Sequence, residues 1–145
     1  MNKIAFLRIY NGRLWLYNRG AISLVGDFAA YGTGASITKN ADHLLLTLSS
    51  ATGWIYGTSP IDLTNIDILY FYGSTNHLTA AVNFAVHTNY TSTTNTGAVT
   101  IPNSGADGLV ALSVASLSGN YYVRFGRFGS AISATARCYE MYGER

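Results

Sequence analysis

The side chains in this sequence best suited to chemistry are its rings. Eleven tyrosines and two tryptophans occur among 145 residues, whereas Asp, Glu, Lys and Arg together make up only 11%. Trp15 and Tyr17, Trp54 and Tyr56, and Tyr70 and Tyr72 each stand two apart, the spacing that puts both rings on one face of a β-strand. One face of such a strand packs into a core, so about half of the rings are packing and the others project outward. An outward ring beside amides and hydroxyls suits the face of a sugar or a protein partner equally well. Rings and amides meet at the loops Gly73–His77 and His87–Thr96, with Trp54–Tyr56 as a platform. The candidate ligand contacts are therefore Trp54, Tyr56, Asn76, Tyr90 and Asn95, with core packing or subunit contact as the alternative for the same residues. As ligand contacts, Tyr90 and Asn95 are expected to tolerate alanine without loss of thermal stability.

Patterns for covalent or acid–base chemistry are missing. No G-x-S-x-G is present to build a nucleophile elbow. Gly32-Thr-Gly34 opens like a dinucleotide fingerprint, but Ile37 occupies the third glycine position and no helix follows. His43, His77 and His87 fall on separate elements, and neither the H-E-x-x-H nor the Cys/His zinc spacings occur. Glycoside hydrolysis needs two carboxyls about 5–9 Å apart across a cleft; nothing singles out such a pair among the seven acids. Asp62 and Asp67 bracket Leu63–Ile66 and read as turn residues accepting from backbone N–H groups. No enzyme, metal or cofactor is expected. Asn89-Tyr-Thr91 is a glycosylation sequon, relevant only to a secreted chain.

The elements that position the rings are short strands. Lys3–Tyr10 and Arg13–Asn18 flank Asn11-Gly12, a pair suited to the positive φ angles of a two-residue type I′ hairpin. Further strands are expected at Ala21–Val25, Ser36–Lys39, His43–Leu48, Gly53–Gly57, Ile68–Tyr72, Thr79–Val86, Leu109–Ala115, Tyr121–Phe128 and Thr135–Tyr142. Gly, Asn, Ser and Thr clusters separate them, and no amphipathic helix intervenes. The spacing predicts one all-β domain over residues 1–145, an antiparallel β-sandwich or jelly roll of at least eight strands. The single cysteine, Cys138, excludes an internal disulfide and reads as a small core residue.

With two lysines and two glutamates, the chain lacks the charged coat of a solitary soluble domain. This predicts a surface covered by copies of itself, a trimer first, or one that meets carbohydrate. The net charge of +2 is spread over scattered arginines, which argues against nucleic acid. No apolar run is long enough to cross a bilayer, and Ile4–Ile9 is too short and too charged for a signal peptide. The chain is expected to stay in the cytoplasm of its cell or to leave by lysis.

Several stretches together resemble the jelly-roll, carbohydrate-binding-module-like domains of phage tail and virion proteins. They are Leu14-Trp-Leu-Tyr17, Gly32–Asn40, Leu44–Leu48, Gly53-Trp-Ile-Tyr56, Ile61–Phe71, Tyr121–Phe125 and Cys138–Tyr142. The resemblance implies a non-enzymatic virion component: a tail or baseplate fibre, a receptor-binding tip or a capsid decoration protein. Its partners would be other virion proteins and host cell-surface polysaccharide. Residues 1–18 precede most of the likeness and are the candidate docking element. The alternative is a stand-alone carbohydrate-binding module outside any virion.

Overall fold

The computed structural model describes Ile9, Tyr10 and residues 12–145. Lys3–Arg8 of the expected first strand and Asn11 of its turn lie outside the described residues, and so does much of the proposed docking element. What is described begins as a hairpin. Strand β1 (Ile9–Tyr10) pairs with β2 (Arg13–Asn18), Tyr10 opposite Arg13, so two residues reverse the chain. Gly12 takes φ +75° there, a conformation a β-branched side chain resists.

Ten more strands follow: β3 (Ala21–Ile22), β4 (Phe28–Tyr31), β5 (Ala35–Lys39), β6 (Leu44–Gly57), β7 (Ile61–Asp62), β8 (Ile68–Thr75), β9 (Asn83–His87), β10 (Gly97–Thr100), β11 (Gly108–Ser113) and β12 (Asn120–Glu144). Every pairing is antiparallel, and no helix occurs among the described residues. The expected all-β antiparallel architecture is what the chain adopts, as a curled sheet closed into a sandwich.

Two long strands make the curl. β6 and β12 run 14 and 25 residues and stay paired through a corner where the register shifts between Arg127 and Ala134. On one side of the corner the order is β10–β9–β12–β6–β4; on the other it is β11–β8–β12–β6–β5, with β2 taking the place of β6 toward the C-terminal end of β12. The sequence reading breaks each long strand in two, at Ser49–Thr52 and at Gly129–Ala134. The structure keeps each continuous, because small residues let a paired ribbon bend without parting. Ser50 adopts φ +45° at the corner and donates its N–H to Ser133 Oγ, the irregularity of a β-bulge.

The two halves face each other across an apolar core. The Phe71 ring lies 5.4 Å from Phe84 and 5.2 Å from Phe125, so β8 of one layer touches β9 and β12 of the other. Leu16, Leu46, Ile55, Leu69, Val86 and Cys138 are fully buried around them, Cys138 as the small core residue expected. Phe71→Ala is expected to lower stability by about 3–5 kcal/mol, read as a shift of the urea midpoint. A loss below about 1 kcal/mol would mean that the layers do not meet there.

Tyr17 is 1% exposed, and burial, with Cys138 as a lesser influence, pushes its hydroxyl up to about 12. The same hydroxyl in the unfolded chain titrates near ~10. Between these values the folded state holds the extra proton, so stability is present below pH ~10 and falls as pH rises toward ~12. Tyr17→Phe is expected to flatten part of this alkaline loss, the remainder coming from Cys138, Tyr56 and Tyr142, which shift the same way. An unaltered slope of urea midpoint against pH between these limits would remove Tyr17 as a source.

Candidate functional site

Each layer turns one face outward, and the rings divide between them. On the outer face of the first layer, Tyr31 on β4 stands opposite Trp54 on β6, and Tyr56 stands opposite Arg124 on β12. Tyr31 stacks on Trp54 at 5.0 Å and Trp54 on Phe128 at 4.7 Å. Tyr56 and Tyr90 lie nearly parallel at 4.4 Å, and Tyr122 meets Tyr90 edge-on at 5.4 Å.

Residues 88–96 fold across this face as a strap, and one side chain holds them. Arg124 is 1% exposed and has no carboxylate within ion-pairing distance among the described residues. Its Nη1 donates to the carbonyls of Tyr90 and Ser92, and its Nη2 to the Thr94 carbonyl and Asn95 Oδ1. The guanidinium lies over the rings of Trp54 and Phe128, 5.0 and 4.6 Å from their centroids, attracted by the negative ring faces. The Trp54 indole N–H adds a bond of 2.8 Å to the Tyr90 carbonyl. Ala85, opposite Arg124 on β9, leaves room for the strap and is itself fully buried. Burial lowers the guanidinium to about 10, so it stays charged at neutral pH.

Four of the five nominated contacts thus come together here. Trp54 is 1% exposed between two rings, so it offers no face to a ligand in this conformation. Tyr56 and Tyr90 cover each other, and the Asn95 amide oxygen is spent on Arg124. The expectation that alanine at Asn95 is thermally silent does not fit this bond. Asn76 stands apart, on the other layer.

That second outer face is open. A cleft of about 440 Å³ is lined by His43, Leu45, Ser74, Thr75, Asn76, Gly105, Thr135 and Arg137. Arg137 Nε and Ser74 Oγ both donate to Asp107 Oδ1, at 2.8 and 2.7 Å. Asn76 Oδ1 accepts from the Thr135 N–H at 2.8 Å. His43 Nδ1 lies 2.7 Å from Asp42 Oδ1, and its Nε2 lies 3.1 Å from the Asn40 amide nitrogen. The Tyr139 ring lies 5.2 Å from that of His43, which lines the cleft, and 6.1 Å from that of Tyr72. Ordinary alternation along β12 sets Tyr139 on the face of Arg137, and the bulge between Cys138 and Glu140 flips the alternation only beyond it, so that Met141 turns inward. The sequence reading missed Arg137 and Asp107: they lie 30 residues apart and meet only because β12 returns beside β8.

Comparison with solved structures now has a geometry to meet. A family 29 carbohydrate-binding module from Piromyces equi superposes with a TM-score of 0.58 at 15% identity, covering 92% of this chain and 90% of that one. A variant of another family 29 module reaches 0.63 at 9% identity over 91% of both chains. A third structure, a family 29 variant complexed with mannohexaose, gives 0.60 at 10% identity over 89% of this chain and 87% of that one. The likeness is one of fold. No family model and no curated protein sequence matches the chain.

Arg124→Ala is expected to lower stability by about 2–4 kcal/mol, since several acceptors lose a charged donor, and to speed amide exchange across residues 88–96. Arg124→Lys recovers only part of this, because an ammonium lacks the planar fork. Exchange in the strap at the wild-type rate in the alanine variant would show that Arg124 does not hold it.

Proposed function

We propose that this chain is a non-catalytic glycan-binding domain whose ligand is a neutral polysaccharide. The observation that carries this reading is a fold shared end to end with family 29 carbohydrate-binding modules, over 92% of this chain and 90% of the Piromyces module. Structures of such modules include complexes with mannohexaose and cellulohexaose. The composition agrees, since hydroxyls, amides and tyrosines supply the polar surface where ionic groups are few. Tail, baseplate and capsid proteins have no counterpart among these neighbours. The better-supported alternative is therefore a carbohydrate-binding module acting outside a virion. Self-association, a trimer first, is proposed from the low charge and the apolar, Tyr-rich composition; light scattering that returns the 15.6 kDa monomer at micromolar concentration removes it.

Affinity electrophoresis through gels containing soluble glucan, mannan or xylan is expected to retard the protein in at least one. Titration with cellohexaose or mannohexaose is expected to give a dissociation constant of roughly 1 µM to 1 mM, with no new reducing ends released. Unretarded migration in every gel, together with no binding heat from either hexaose, overturns the reading.

A further inference from the structure

Two outward faces carry rings, and they differ in what their polar groups are doing. On the first, the guanidinium, the amide and the indole N–H are consumed in holding the strap. On the second, polar groups are oriented but not used up. We infer that the cleft at Arg137 and Asp107 is the ligand site of this domain, and that it takes an internal stretch of a neutral glycan chain by pairing with neighbouring sugar hydroxyls. The inference rests on the glycan-binding reading above and gives it a place.

The Asp107 carboxylate receives Arg137 Nε and Ser74 Oγ on the same oxygen, Oδ1. Among the described residues, Oδ2 accepts no hydrogen bond, and neither Arg137 Nη1 nor Nη2 donates one. The carboxylate is thereby locked against the guanidinium through one oxygen, while a donor pair and an acceptor are left unspent. A sugar hydroxyl both donates and accepts. Two hydroxyls on adjacent carbons can therefore take bonds from the guanidinium fork and return one to the carboxylate. Bonds to ionised groups are about twice as strong as neutral ones, so few are needed in an open cleft. Burial pushes the Asp107 carboxyl up, but the bonds from Ser74 and Arg137 outweigh it and hold it below its ordinary value. The acceptor is thus ionised at neutral pH.

The neighbouring groups fit the same ligand. Because Asn76 Oδ1 accepts from Thr135, the amide is fixed with its NH₂ group left as a donor. The Arg137 guanidinium has Asp107 beside it, and Asp42 lies beside His43. An anionic chain would meet both carboxylates, which favours an uncharged one. The cleft crosses strands β6, β12 and β8, where Leu45, Arg137 and Ser74 stand in register.

The test is titration calorimetry of the full chain with cellohexaose, mannohexaose and, as an anionic control, oligogalacturonate, alongside melting curves. Wild type is expected to bind a neutral hexaose in preference to the anionic one. Arg137→Ala is expected to weaken binding at least tenfold, and Arg137→Lys and Asn76→Ala less. The lysine variant keeps a cation beside Asp107, so loss of binding with an unmoved melting temperature there separates recognition from folding. Tyr122→Ala, on the strapped face, is expected to bind as wild type does. Wild-type affinity in folded Arg137→Ala overturns the cleft while leaving the glycan reading intact. Loss confined to Tyr122→Ala moves the site to the other face, and a preference for oligogalacturonate overturns the neutral ligand. A wild type that binds no sugar removes the glycan reading and the cleft together.

Discussion

Strands β6 and β12 stay hydrogen-bonded to one another from Leu44 opposite Cys138 at one end to Tyr56 opposite Arg124 at the other. The rest of the fold hangs on that ribbon. Its outer edges take β9 and β4 in one layer, β8, β5 and β2 in the other, so most of its backbone groups find partners without help from side chains. To close a sandwich the ribbon has to turn a corner, and the corner constrains sequence tightly. A Cβ on Gly126 would lie 2.4 Å from the Gly53 carbonyl oxygen and 2.5 Å from Trp54 Cα, closer than any side chain permits. Glycine at that point lets β12 press onto β6 just where Trp54 lies across the outer face.

Irregularities in β12 also decide what each face presents. Phe125 and Ala136 both point inward although their positions differ by an odd number, so the register shifts at the corner restore alternation. The bulge before Glu140 then flips it again, and Cys138 and Met141 both enter the core. Such shifts let a 25-residue strand stay in register with five neighbours while its apolar side chains keep to the core.

The two outer faces spend their charges in opposite ways. A guanidinium buried without a counter-ion is costly unless most of its N–H groups are bonded; Arg124 meets that condition with backbone carbonyls and one amide, and orders the Thr- and Asn-rich strap in doing so. Arg137 and Asp107 remain partly exposed, at 41% and 21% of their side-chain surface, where an ion pair contributes little to stability.

Much of the architecture was legible in the chain itself. Alternating apolar residues between Gly, Asn and Ser clusters, and the absence of a helical period, are local properties, and local properties are what determine strands and turns. The reversal at Gly12, the core position of Cys138 and the all-β class all belong to this kind. The fate of the rings does not. Trp54 and Tyr72 have the same sequence signature, an aromatic two places from another in an apolar run, yet one is sealed under residues 88–96 and the other stays half-buried on the opposite layer. What separates them is Arg124, drawn to the strap from more than 28 positions away along the chain, and Arg137 meeting Asp107 across 30. Such pairings carry no local pattern, because they arise only when a curled sheet brings distant strands side by side.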